Sequence, residues 1–158
     1  MNGSRHAMSP WVWVVAGGTL AGALDILYAC VFWRIKADVP AARIFQGVAA
    51  GLLGEASFEG GAATATLGLA LHFFIALSMA VAYYLASGRW SVLRDRPVLC
   101  GAVYGLLLYA FMNYVVVPLS AAGGGSKDAL WIGLTVLVHV VLIGIPIALF
   151  ARRARTFR

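Results

Sequence analysis

Charged side chains are scarce in this chain: twelve Lys and Arg and six Asp and Glu among 158 residues, or 11%. An average soluble domain carries about 25%, so a soluble fold of this composition could not cover its own surface with polar groups. Cysteines number only two. Cys30 falls near the far end of the first apolar run and Cys100 at the start of the third. With alternating spans they lie on opposite sides of a membrane, far beyond the roughly 7 Å Cα separation that a disulfide tolerates. Both read as small apolar packing residues. Also missing are a P-loop, a dinucleotide fingerprint, a CxxC, an HExxH and a nucleophile elbow. Nothing argues for hydrolytic or group-transfer chemistry, and the chain reads as non-enzymatic.

What is abundant is apolar: 62% of the residues are hydrophobic and the mean hydropathy is +0.88. Four runs, 11–33, 62–86, 98–117 and 129–151, are each long enough for the about 20 helical residues that cross a hydrocarbon core of about 30 Å. The expected fold is an all-α membrane protein, a four-transmembrane-helix bundle forming one integral domain over 1–158 in contact with the lipid bilayer. Arg5 and Ala21-Gly22-Ala23 resemble parts of a signal peptide, but the apolar run continues to Trp33, too long for an h-region. It is read as a retained first span. Ser9 and Pro10 suggest a serine N-cap followed by proline at the first helical position. Trp11 and Trp13 at one end, with Tyr28, Phe32 and Trp33 at the other, suit interfacial positions. Residues 43–55 are helical in pattern yet cover under about 20 Å, too short to span. Ile44, Phe45, Val48 and Leu52 form one face and Gly47, Gly51 and Gly54 another, which predicts an interfacial or shallow re-entrant helix with glycines at a close backbone contact. Pro118 is expected to stop the third helix and Pro146 to kink the fourth.

The net charge of +6 does not indicate nucleic acid, because the basic residues flank the spans, where they set topology. Arg5, the 89–97 loop and the tail hold eight Lys and Arg, whereas Arg34, Lys36, Arg43 and Lys127 make four on the other side. The positive-inside rule then places both termini in the cytoplasm.

Each span carries one strongly polar side chain in its interior: Asp25, His72, Asn113 and His139. Counting along the runs puts Asp25 and Asn113 roughly 21–22 Å from one face and His72 and His139 roughly 15 Å from the other. In a membrane region about 35 Å deep they converge within about one helical turn. A charge inside a bilayer costs about 2.5–3.5 kcal/mol on insertion scales, so such residues need partners. The layer reads as interhelical glue, with an Asp25–His pair bridged by Asn113, or as a proton or ion pathway. An alternative from another class is a redox membrane protein. His72 and His139 would then be the axial ligands of a haem b, or would bind a transition metal with Asp25 as third ligand. Glu55 and Glu59, four apart, would share a helix face and form either a solvated acidic surface or a cation site. Gly101 and Gly105, like Gly18 and Gly22, have small-xxx-small spacing. That spacing serves tight packing within one subunit or between the subunits of a homo-oligomer.

Residues 17–25 (GGTLAGALD), 51–61 (GLLGEASFEGG), 96–105 (RPVLCGAVYG), 111–120 (FMNYVVVPLS) and 144–149 (GIPIAL) resemble a group of uncharacterised bacterial four-helix membrane proteins. A fainter similarity in layout, strongest around 72–84 and 96–119, is to the YagU-like inner-membrane proteins. The resemblance implies a bacterial inner-membrane location and a four-span topology, and no mechanism.

Overall fold

The computed structural model describes residues 9–156. Arg5 and Arg158, counted above for topology, lie outside them. Helix α1 covers Pro10–Ala37, α2 Ala41–Leu53, α3 Gly61–Arg89 and α4, a single turn, Val92–Asp95. Helix α5 runs over Pro97–Leu119 and α6 over Ala129–Thr156. No strand occurs among the described residues. α1, α3, α5 and α6 are the four helices long and apolar enough to cross a membrane, which makes this a multi-pass all-α membrane protein. Each extends past its apolar run by up to five residues because the polar flanks stay helical. Between α2 and α3 the chain makes a 3₁₀ turn, Gly54–Phe58.

Small residues decide how the helices meet. In α1, a Cβ on Gly18 would press on Leu77 and Ala80 of α3, and one on Gly22 on Phe73 and Ala76. In α5, a Cβ on Gly101 would lie 2.8 Å from the Gly144 carbonyl, and one on Gly105 would overlap the His139 carbonyl. Both small-xxx-small motifs are therefore filled by contacts within one chain. Around them the core is built mainly of Ala21, Ala80, Ala148, Ala151 and Ala154 with Tyr83, Tyr84 and Ile147. Cys30 and Cys100 are free thiols, and Cys100 donates a weak hydrogen bond to the Val92 carbonyl.

The short helix meets its neighbours on two surfaces, of which only the one at Gly51 and Gly54 is the expected glycine face. α2 packs chiefly on α3, but the glycine that permits this is Gly68 of α3, where a Cβ would overlap the Phe45 carbonyl. A Cβ on Gly47 would meet nothing within 4 Å. The buried face of α2 is Gln46, Ala49 and Ala50, and the Gln46 amide donates to the Gly61 carbonyl at 3.1 Å. The Gly51 carbonyl accepts from the Ala121 amide at 3.1 Å, tying α2 to the loop that follows α5.

One further local expectation changes. Ser9 flanks α1 without a side-chain cap; its carbonyl accepts from Val12 instead. The side-chain cap is Asp128, which accepts from the Trp131 amide at 2.8 Å at the start of α6. Pro118 stands one residue before the end of α5 at Leu119, as expected of a stop, whereas α6 continues past Pro146 to Thr156. The residue before each proline bonds five residues back, Val117 N–H to Met112 O and Ile145 N–H to Val140 O. Proline removes the four-back donor, and its ring clashes with that carbonyl. A widened π turn accommodates both defects while the helix continues. The π turns are Met112–Val116 and His139–Gly144.

At one end, Trp131 stacks on Tyr28 with ring centroids 5.2 Å apart and touches Phe32 and Trp33. Beside it Lys36 pairs with Asp128. At the other end, Arg155 donates to the Tyr84 carbonyl at 2.8 Å and lies over the Tyr84 ring. Tyr83 donates to the Leu93 carbonyl and Tyr104 to the Met79 carbonyl.

Two outcomes follow. Gly105→Ala should lower the melting point in detergent, costing about 1–3 kcal/mol, because the obstacle is backbone. Gly47→Ala should raise it, through a stabilisation of about 0.5–1 kcal/mol. Second, hydrogen bonds from Lys36 and from the Trp131 amide hold the Asp128 carboxyl below its ordinary value. A depressed acid contributes stability above its unfolded value near about 4 and loses it as pH falls through the folded value. Asp128→Asn should therefore melt below the native protein at pH 7 and together with it at the acid end of a titration.

Candidate functional site

Measured from the helix ends that carry the Trp131 cluster, Asp25 lies 12 residues from Ala37, His72 11 from Gly61 and His139 10 from Ala129. At 1.5 Å per residue these are depths of roughly 15–18 Å. The three side chains share one level in the middle of the bundle, on α1, α3 and α6. Asn113 is 6 residues from Leu119 at that end, roughly 9 Å, but 16 from Pro97 at the arginine end, where Asp25 is 15 from Pro10, His72 17 from Arg89 and His139 17 from Thr156. The Asn113 amide donates to the Tyr109 carbonyl of its own helix at 3.0 Å, and its Oδ1 faces the loop at Gly125. Among the described residues no hydrogen bond joins it to the other three.

His72 is held by α1. Its Nε2 donates to the Gly22 carbonyl at 2.8 Å, one turn from Asp25, and Phe73 meets its ring edge-on. The absent side chain at Gly22 brings α3 close enough for this bond. His139 is 8% exposed and opens the π turn of α6. Its Nδ1 donates to the Thr135 carbonyl at 3.0 Å, which in a neutral ring leaves Nε2 as the acceptor. Tyr109 packs edge-on against the ring at 5.5 Å, and Gly105 abuts its backbone. Asp25 interacts electrostatically with His139 and with His72. Among the described residues it makes no direct hydrogen bond or ion pair with either.

Two residues on the same strip were not singled out in the sequence for this role. The Tyr28 hydroxyl, one turn from Asp25, shares a hydrogen bond of 3.2 Å with the Thr135 hydroxyl, and it also interacts electrostatically with Asp25. Thr135 is in turn the residue whose carbonyl holds His139. A string of hydroxyls thus leads from the Trp131 cluster down to the Asp25 level. The available signal was spacing, since Tyr28 follows Asp25 by three and Thr135 precedes His139 by four, which puts each pair on one helix face.

Glu55 and Glu59 do not form the shared face expected of them. Glu55 lies in the 3₁₀ turn and Glu59 caps it. A 3₁₀ turn advances about 120° per residue, so positions four apart diverge. Both are exposed, and neither has an ion-pair partner among the described residues.

The rings also fail to fit a bis-histidine haem b, since His72 gives its Nε2 to the Gly22 carbonyl. The seam it would have to open is closed by Gly22 against Ala76. Among the described residues no group of three or more His, Cys, Asp or Glu could hold a metal ion, so Asp25, His72 and His139 do not form the expected metal set.

The purified protein should be colourless. A Soret band lost in His72→Ala and His139→Ala would overturn this assignment. Because Asp25 has no direct partner, Asp25→Asn should leave the melting point unchanged or raise it. His72→Phe, which removes the Gly22 bond, should cost about 1 kcal/mol. No family model, curated protein or solved structure matches the chain, and its function is read from this geometry.

Proposed function

We propose that the chain is a bacterial inner-membrane protein that moves protons through the Asp25, His72 and His139 level. The observation that carries this is a carboxylate and two imidazoles at one level of three neighbouring helices, with no direct bond between carboxylate and ring among the described residues. Interhelical glue would close such a pair, because an unsatisfied polar group gains most from direct contact in a low dielectric. An open arrangement instead permits exchange. Carboxylate and imidazole are the groups whose protonation responds most to burial and to each other, and a bridging water relays protons between polar groups just beyond contact. Tyr28 and Thr135 supply hydroxyls that both donate and accept, which suits the entry from the Trp131 end. A hard cation such as Na⁺ would call for several oxygen ligands, and one carboxylate with two rings does not offer them.

Location and orientation belong to the same proposal. The arginines at the Arg152–Arg155 end favour a cytoplasmic setting for both termini, in keeping with the resemblance to YagU-like inner-membrane proteins. Activity of alkaline phosphatase fused at Gly124 checks this, and an inactive fusion in a bacterial host would reverse the orientation.

The function is tested in proteoliposomes carrying an internal pH dye. Under an imposed potential the native protein should acidify or alkalinise the lumen above the rate of empty vesicles. Asp25→Asn should return it to that rate and Tyr28→Phe should slow it severalfold. If native and Asp25→Asn vesicles behave alike while the variant melts lower, the level is glue and the proposal fails.

A further inference from the structure

The arginine end carries a feature that proton movement does not use. Gly88, Arg94, Asp95, Arg152, Arg155 and Thr156 line a groove of about 480 Å³ between α3, α4 and α6. Beside it Trp13, Leu149, Phe150, Arg152, Arg153 and Thr156 line a second of about 600 Å³. Arg152 and Thr156 belong to both, so the two are halves of one surface with a shared wall. The first half is dominated by guanidinium groups, with Asp95 as its one carboxylate among the described residues. The second half sets Trp13, Leu149 and Phe150 beside Arg152 and Arg153.

The charges on the first half are not neutralised internally. Among the described residues neither Arg94 nor Arg152 has an ion-pair partner. Arg155 spends one N–H on the Tyr84 carbonyl and keeps Nε without a hydrogen-bond partner. In the second half Arg153 lies over the Trp13 ring, 5.8 Å from its centre. Tryptophans of a spanning helix sit at headgroup depth, and Trp13 therefore places this surface where lipid phosphates lie.

A ligand matching both halves is amphiphilic, with an anionic phosphate at one end and hydrocarbon at the other. Basic pockets between spanning helices are suited to such headgroups, and guanidinium forks match phosphate oxygens bidentately. We infer that this paired groove binds one anionic phospholipid from the adjoining leaflet, its phosphate between Arg94, Arg152 and Arg155 and its acyl stem along Trp13, Leu149 and Phe150. Docked there, the lipid would bridge α4, the end of α3 and the tail of α6, which share no ion pair of their own among the described residues.

The test uses the full chain in neutral detergent, with phosphatidylglycerol, phosphatidylcholine and inorganic phosphate as probes, read by native mass spectrometry and thermal melting. One phosphatidylglycerol should be retained per chain and phosphatidylcholine lost. Arg94→Gln with Arg152→Gln should weaken retention by about thirtyfold, about 2 kcal/mol at the usual 1.4 kcal/mol per tenfold. That pair avoids Arg155, which the fold needs at Tyr84, so the lipid-free melting point should not move. Equal retention of both lipids, or undiminished phosphatidylglycerol in the double variant, overturns the inference. Displacement by millimolar inorganic phosphate would also overturn it, since the site would then read phosphate without its lipid.

Discussion

Much of this bundle depends on one backbone contact, the seating of the widened turn of α6 on the glycines of α5. The carbonyls of His139 and Gly144 lie where side chains at Gly105 and Gly101 would be. Hydrocarbon offers neither hydrogen bonds nor a hydrophobic push between helices, so association rests on close packing and polar contacts. The seam fixes the rotation of α6 about its axis. On that rotation depend the inward aim of His139, the burial of Ile147, Ala148 and Ala151, and the position of Arg155 over Tyr84. The turn exists because Pro146 forbids the regular bond, so a residue that looks like a defect sets the geometry of three levels of the molecule.

The two ends are held by different physics. At the Trp131 end, rings from α1 and α6 stack, and Lys36 with Asp128 closes the rim in solvent, where screening keeps such a pair weak. At the arginine end, side chains reach across to backbone carbonyls, as with Arg155 on Tyr84 O and Tyr83 on Leu93 O. The hydroxyl pair of Tyr28 and Thr135 lies on the Trp131 side of the Asp25 level, while on the other side the hydroxyls of Tyr83, Ser87 and Tyr104 are spent on backbone carbonyls.

The sequence made the spans legible because hydropathy reports length directly, and it singled out Asp25, His72 and His139 because polar groups are so rare in these runs. For Asn113 depth depends on the end counted from: α5, at 23 residues, is the shortest of the four spans, so Asn113 is level with the others from Pro97 and nearer the face from Leu119. Rotation was not legible at all. Gly47, Gly51 and Gly54 look like one contact face, yet Gly51 and Gly54 meet the loop at Ala121, Gly47 meets nothing, and the contact with α3 is made through Gly68, because which stripe of a helix meets a neighbour is a property of the pair. Proline announced irregular backbone in α5 and α6, but not that the irregularity would be a wider turn. Likewise Ser9 and Asp128 are both good capping residues in sequence, and only Asp128 has its side chain over the first free amides.

The π turn in α6 has one more consequence. A π turn holds one residue more than the α turn it replaces, so in the stretch His139–Gly144 the number of residues and the angular phase of the helix are decoupled. Elsewhere in α6 a one-residue deletion would rotate everything downstream by about 100°. Inside this stretch it could convert the wide turn to a regular one and leave the phase of the arginine tail intact. The same spot that presents His139 is therefore where the helix can absorb a change of length during descent.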